Sequence, residues 1–352
     1  MKILGIETSC DETAAAVVED GCKLLSNVIQ SQIDIHSAFG GVVPEIAARS
    51  HLEVILPVID KAVEDAGSWD EIDAIACTTM PGLIGSLLIG SLTARTLALI
   101  KNKPFYPIHH VEAHVYANFI DMDKPAFPML ALIVSGGHSQ IVLFRSHGDY
   151  EMIGQTADDA VGEAFDKVAK ILGLPYPGGP AIAAAARHGD PYAYTFPKAK
   201  MSDKYSFSFS GLKTAVLRAA QSAAGKDHTF PSSGLSELLS ERERNNFAAS
   251  FQRTAVETLV DKIIAAYEEF HPESVVIAGG VAANQELRRQ LAERLPVEIE
   301  YPPIGLCTDN AAMIASLGYF MAQKVLASDP HDVEVQPSIS MTQTAWHTTA
   351  SD

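Results

Sequence analysis

Apolar and polar positions alternate along this chain in blocks that read as strands and helices in turn. Residues 2–6 (KILGI) form a short apolar run, followed by a polar turn at 7–13 and a second apolar run at 14–18 that closes on an acidic-glycine turn. A third run at 22–30 completes a strand-turn-strand-turn-strand opening, a β-meander distinct from the strand-glycine-loop-helix start of a dinucleotide-binding unit. Apolar residues at helical spacing predict an amphipathic helix over 51–65. A strand at 72–77 leads through TTMPGLIGS into a long apolar helix over 87–100, and residues 104–108 begin the next unit just before HHVEAH.

MLALIVSGGHSQIVLF at 129–144 predicts two strands joined at Ser135-Gly136-Gly137, where the glycines are free to take positive φ. This second meander lies about 125 residues after the first and predicts two lobes of related α/β fold facing each other. Helices follow over 157–172, 241–269 and 285–295, with a strand at 274–277, and TDNAAMIASLGYF forms the final helix. Residues 188–212 read as irregular. We draw the first lobe over 1–107, with a helix at about 308–325 returning to it, the second over 108–307, and a loose tail over 326–352.

A length of 352 residues fits two lobes better than one core, and 47% apolar residues suffice to build them. No stretch of 18 consecutive apolar residues suggests a membrane span, and the N-terminus has no cleavable leader pattern. Four scattered cysteines without a CxxC pair favour a reducing compartment, so a cytoplasmic location is expected. A net charge of -17 argues against indiscriminate nucleic-acid coating but leaves an RNA substrate open. A local basic patch or a partner would then supply the phosphate contacts.

In HHVEAH, His110 and His114 stand four apart, which on a helix puts both imidazoles on one face as a metal clamp requires. Helix capping or packing is the plainer alternative. Val111 follows the first histidine of the pair, so the HExxH pattern of a zinc peptidase fails at its general base. Asp309, at the mouth of the last helix, is the best third ligand, or else an ordinary N-cap. Four turns sit at strand carboxyl ends and suit anionic oxygens: 8–13, 81–86, 135–138 and 279–284. None is a Walker A loop. Asp166, with the YPGGP turn, offers a carboxylate to a ribose or merely faces solvent. Asp11 and Glu12 offer a base or a cation-bound water site, or satisfy their own turn. Residues 198–213, with four lysines among Tyr205, Phe207 and Phe209, are a candidate RNA contact unless the rings are core. His36, Arg49 and His51 form a second, weaker one.

These motifs together resemble the bacterial TsaD (Gcp) family, formerly labelled O-sialoglycoprotein endopeptidases. The resemblance spans about residues 1–325. It rests on GIETSCDET at 5–13, GGVVPEIAAR at 40–49, PGLIGSLLIG at 81–90, HHVEAH at 109–114 and LIVSGGHSQ at 132–140. DDAVGEAFDKVAKILGLPYPGGP at 158–180, FSFSGLK at 207–213, AGGVAANQELR at 278–288 and TDNAAMIA at 308–315 extend it.

The resemblance implies an actin-like, sugar-kinase and Hsp70-type ATPase fold of the ribonuclease H-like kind, two lobes around a central cleft. It implies transfer of the threonylcarbamoyl group from threonylcarbamoyl-adenylate to N6 of adenosine 37 in tRNAs reading codons that begin with A. One divalent metal, Fe2+ or Zn2+, is implied on His110, His114 and Asp309. The adenylate is implied on Ile133, Val134, Ser135, Gly136, Gly137, Asp166, Gly179 and Asn284, with ATP, ADP or AMP as related ligands and Mg2+ accompanying ATP. Glu12 is implied in the transfer. Implied partners are the tRNA anticodon loop and TsaB-like and TsaE-like proteins, with the adenylate made by a TsaC- or Sua5-type enzyme. Ala183 departs from the family, in which an aspartate is common at that place, so the ribose contact rests on Asp166. An ATPase or kinase of the same fold without an RNA substrate, or a metallopeptidase, are the alternatives.

Overall fold

The computed structural model describes residues 1–122, 124–344 and 346. Its elements run in the order β1 (Lys2–Glu7), β2 (Glu12–Glu19), β3 (Lys23–Ser31), α1 (Ile33–Ser37), α2 (Pro44–Ala66), β4 (Ala74–Met80), α3 (Ile84–Lys101), β5 (Phe105–His109) and α4 (His110–Tyr116). Then come β6 (Met129–Val134), β7 (Ser139–Ser146), β8 (Asp149–Gln155), α5 (Val161–Ile171), α6 (Gly178–Ala186), α7 (Ser210–Ala223) and α8 (Glu241–Phe270). β9 (Ser274–Ala278), α9 (Gln285–Arg294), β10 (Ile299–Glu300), α10 (Ile304–Cys307) and α11 (Ala311–Ala322) complete the chain's regular elements.

The chain divides into two compact units, the first made of 1–127, 144–151 and 300–352, the second of 128–143 and 152–299. The sequence-based boundary at 107 differs from this because α4, buried at every residue, packs with α11 in the first unit. The segment after α11 is also not loose where it is described. The amide of Ser328 bonds the carbonyl of Phe105, that of Gln336 bonds Thr79, and Met341 is buried.

Both sheets have the same strand plan. In the first the order is β3-β2-β1-β4-β5, and in the second it is the equivalent β8-β7-β6-β9-β10. β1 pairs antiparallel with β2 (Ile6 opposite Ala15) and parallel with β4 (Ile6 opposite Cys77). β6 runs parallel to β9. A meander followed by parallel strands, made twice, is the repeated α/β architecture that the two apolar meanders predicted.

β1 and β2 are buried on both faces, which explains their unbroken apolar runs. α2 begins seven residues before the predicted start because Pro44 supplies a preset φ at its first turn. Its stripe Ile55, Val58, Ile59, Ala62 and Val63 lies in the core with Leu4, Ala15 and Val17. α3 is long and apolar enough to cross a membrane on length and composition alone. In this structure its small face, Ser86, Gly90, Ser91, Ala94 and Ala98, is buried, and α3 packs on β4 and α2.

Candidate metal centre and glycine-loop site

β5 delivers the chain directly into α4, whose N-cap is His109, and the i, i+4 spacing then stacks His110 over His114. Their ring centroids are 4.7 Å apart at 73°. Asp309 reaches the pair because Asn310, and not Asp309, caps α11 by accepting the amide of Met313. The carboxylate is thereby released from capping. Its Oδ1 lies 3.5 Å from His110 Nε2 and 3.4 Å from His114 Nε2, and the three ligand atoms all lie within 4.8 Å of one another.

Those separations suit one shared cation. Two ligand atoms about 2.1 Å from a tetrahedral ion stand about 3.4 Å apart, whereas a direct charge-assisted hydrogen bond would draw them to about 2.8 Å. Two imidazoles and a carboxylate also form a donor set that fits iron or zinc.

The surroundings are acidic and mostly buried. Glu7 is fully buried, with Oε2 3.0 Å from His110 Nδ1. Burial opposes ionisation of Glu7, but the His110 charge and hydrogen bonds from His110, Ser9 and Thr78 overcome it and hold the carboxyl down. Burial likewise opposes protonation of His110, and the charges of Glu7 and Asp309 outweigh it. Glu12 behaves in the opposite way. Burial, then the charges of Asp309 and Asp11, push its carboxyl up to about 10, while the Ser31 hydroxyl donates to it at 3.2 Å.

Glu112, inside HHVEAH, is the residue a peptidase reading would need as its base. It points away from that role. It is fully buried, with Oε2 3.1 Å from the Tyr150 hydroxyl, whose one proton is shared between that carboxyl and the carbonyl of Met341. His109 bonds the carbonyl of Ile339 at 3.2 Å. Both side chains therefore tie α4 to the segment after α11.

In the second unit, three glycines draw the remaining site segments together. A Cβ on Gly279 would meet the carbonyl oxygen of Val134 at 2.4 Å, and one on Gly162 that of Ser135 at 2.5 Å. One on Gly178 would meet Cα of Asp166 at 2.5 Å. The turn after β9, the β6–β7 turn and the starts of α5 and α6 are thus packed in one continuous chain of contacts. Asp166 accepts the Gly178 amide at 2.7 Å, which fixes the start of α6. Gly136, Gly137 and Gly179 have open space where a side chain would begin, leaving their backbone approachable. Asn284 caps α9 through the amide of Leu287 and donates to Gln252 at 3.0 Å. Ala183 lies in α6 and carries no acceptor, and Ile133 and Val134 are buried in β6.

Several expectations are corrected. Gly136 and Gly137 are not in the positive-φ region and meet nothing where a side chain would begin, so the turn itself requires glycine there neither for handedness nor for room. The turn at 81–86 is closed to phosphate at its start. The amide of Gly82 bonds Pro337, that of Leu83 bonds Ser9, and Gly82 itself abuts Ser9. This turn clamps residues 8–10. In the segment 198–213, Tyr205, Phe207 and Phe209 are core rings. Lys198 pairs with Asp261, Lys204 with Glu269 and Lys213 with Asp159, so the segment offers no stacking platform. His36 and His51 are buried and hydrogen-bonded to Gln32 and Thr13, so they brace the first turn. Asp158 and Asp159 precede α5, and Asp158 accepts the amides of Phe209 and Ser210. Ser9 lies in the turn at 8–13 that the sequence singled out, whereas nothing local marks Thr78 or links either residue to Glu7.

The chain matches known proteins over nearly its whole length. The family profile described as "TsaD: tRNA N6-adenosine threonylcarbamoyltransferase" matches residues 23–316. A tRNA N6-adenosine threonylcarbamoyltransferase of Thermomicrobium roseum is 51% identical over 348 residues, covering 94% of each chain. One from Dehalococcoides mccartyi is 50% identical and covers 97% of this chain and 100% of its own. Among solved structures, full-length HypF in its phosphate- and nucleotide-bound form superposes with a TM-score of 0.57 at 14% identity, covering 93% of this chain and 47% of HypF, a likeness of fold.

Proposed function

The chain belongs to the TsaD family of tRNA N6-adenosine threonylcarbamoyltransferases, and from that premise we propose how its residues move a threonylcarbamoyl group from threonylcarbamoyl-adenylate to N6 of adenosine 37. The substrates are tRNAs that read codons beginning with A. The observation that carries the reading is the spacing of Asp309 Oδ1, 3.5 and 3.4 Å from the Nε2 atoms of His110 and His114.

His110, His114 and Asp309 hold one divalent ion, Fe2+ or Zn2+. When bound, such an ion supplies Lewis-acid polarisation of an acyl oxygen. Glu12 takes the N6 proton. Burial and the charges of Asp309 and Asp11 keep its carboxyl protonated in the metal-free chain, and a cation held by Asp309 would bring it down toward the range in which it accepts a proton. An exocyclic amine is a weak nucleophile, so most of the rate gain comes from orientation.

The open backbone of Gly136, Gly137 and Gly179 receives the adenylate, flanked by the N-termini of α5 and α6. Ile133, Val134 and Ser135 place the β6–β7 turn, Asp166 braces the start of α6 and faces the ribose, and Asn284 flanks the adenylate from the start of α9. ATP, ADP or AMP suit the same groups, with Mg2+ alongside ATP. The adenosine to be modified leaves the stack of the anticodon loop, where unpairing costs least.

Protein partners complete the system. Leu52 and Leu56 on α2, and Leu88 and Leu92 on α3, are exposed at 66, 55, 40 and 52%. An apolar face on two packed helices supports docking of a TsaB-like protein, with a TsaE-like protein in the same assembly. A TsaC- or Sua5-type enzyme supplies the adenylate. Free thiols at Cys10, Cys22, Cys77 and Cys307 support a cytoplasmic location.

The test is a transfer assay with labelled threonylcarbamoyl-adenylate and unmodified tRNA, using the chain alone and with its partners, beside His110→Ala. Modified adenosine that disappears with the substitution supports the assignment. ATP turnover without tRNA modification under every pairing would favour an ATPase of the same fold.

A further inference from the structure

Three neighbouring strands, β1, β4 and β5, send their carboxyl ends to one spot. Glu7 is the last residue of β1, Thr78 lies near the end of β4, and His110 follows β5 directly. Glu7 is wholly buried. Its Oε1 accepts the backbone amide of Ser9, its Oε2 accepts the Thr78 hydroxyl, and the same Oε2 stands 3.0 Å from His110 Nδ1. The Ser9 hydroxyl lies 3.2 Å from that nitrogen. On the other side of the ring, Nε2 faces Asp309.

We propose that Glu7 is the positioning residue of the metal centre, holding the His110 ring with its N–H at Nδ1 so that the Nε2 lone pair is presented to the cation. This rests on the metal reading of His110, His114 and Asp309. A carboxylate only accepts, so it compels the nitrogen it meets to be the protonated one. Both of its oxygens are already oriented by fixed donors, one of them a backbone amide. The carboxylate is therefore not free to turn away, and the ring is not free to flip.

A simple packing role for Glu7 predicts something different for Glu7→Gln. The Ser9 amide requires an acceptor, so the glutamine carbonyl takes the Oε1 place and its NH2 takes the Oε2 place. That NH2 meets His110 Nδ1 as a donor, and Nδ1 must become the acceptor. The proton then moves to Nε2 and covers the lone pair that the cation needs. The side-chain volume is almost unchanged, so loss of metal binding here would report the tautomer and not a void. Partners of metal-bound histidines typically change metal affinity 10- to 100-fold when removed.

The experiment titrates Zn2+ into the full-length chain against a chelating dye, for the natural protein, Glu7→Gln, Glu7→Asp, Thr78→Val and His110→Ala. The His110 tautomer is read in parallel by nitrogen-15 NMR on the metal-free proteins, at a pH high enough to remove the second ring proton that Glu7 and Asp309 otherwise retain. Expected is one site in the natural protein, no site with His110→Ala, and affinity about 10- to 100-fold lower with Glu7→Gln. Glu7→Asp, which keeps the carboxylate, recovers part of it, and Thr78→Val, which frees Oε2, loses several-fold. Once neutral, the metal-free ring carries its remaining proton on Nδ1 in the natural protein and on Nε2 in Glu7→Gln. Unchanged affinity and tautomer in Glu7→Gln would overturn the role of Glu7 and leave the metal site standing. A natural protein that binds no Zn2+, or binds it equally well without His110, would overturn the metal reading itself. If Glu7→Gln does not fold, Thr78→Val decides, since an unchanged affinity there overturns the proposal.

Discussion

The carbonyl oxygen of Ser135 occupies the place where a side chain on Gly162 would begin, 2.5 Å from an added Cβ. The start of α5 can approach the β6–β7 turn only because residue 162 has no side chain. Gly162→Ala must push Ser135 and Gly136 aside, at about 1–3 kcal/mol. Thermal unfolding should show a lower midpoint, and AMP titration a weaker affinity. Gly179→Ala, where the space is open, is the contrast: AMP affinity falls while the unfolding midpoint stays within a degree or so of the natural protein's. Equal behaviour of the two would mean that the turn is not held by α5.

Glu12→Gln separates chemistry from stability. The transfer rate should fall about 100-fold or more, with Zn2+ still bound. In the metal-free protein the same substitution should stabilise at alkaline pH. The folded-state pKa of Glu12 is raised from 4.5 to about 10, so its favourable contribution is complete below pH 4.5 and is lost as pH rises toward 10. Glutamine, neutral throughout, escapes that loss. Urea unfolding at pH 8 and pH 5 checks it: the variant's advantage should be present at pH 8 and shrink at pH 5.

His147 gives the opposite pH response. It stacks on Phe320 with centroids 4.0 Å apart and meets the Tyr116 hydroxyl at 3.2 Å. Burial, with Lys324 and Lys124 nearby, lowers its pKa from 6.5 to about 4. The unfolded chain therefore binds the proton first, and stability falls as pH drops from 6.5 toward 4. His147→Phe should flatten that part of the stability profile in denaturant titrations. A profile as steep as the natural protein's would assign the acid loss to other groups.

Leu52→Glu together with Leu88→Glu should leave folding unchanged, since both side chains are exposed at 66 and 40%. Binding of a TsaB-like partner, followed by size-exclusion chromatography, should fall at least tenfold, because a charge would be placed inside an apolar interface. Retained binding would place the partner on another face.

Much of this protein was legible where the signal is local. The two apolar meanders, the glycine turns at strand ends and the i, i+4 pair His110 and His114 all follow from backbone periodicity, which needs only neighbours in the chain. The sheet plan, found twice, is what those meanders predicted.

What the tertiary structure alone decided are contacts between distant residues and the direction each side chain takes. Tyr205, Phe207 and Phe209 among lysines look like a stacking surface in sequence, yet the rings are core and Lys204 and Lys213 pair with Glu269 and Asp159. His36 and His51 looked free to meet RNA and instead brace a turn. Asp309 became available only because its neighbour Asn310 took the helix cap. Glu7 meets His110 across 103 residues, through strands whose adjacency no local pattern encodes. Periodicity reports which face of an element is apolar, whereas a hydrogen bond between distant residues exists only once the sheet order has brought the strand ends together.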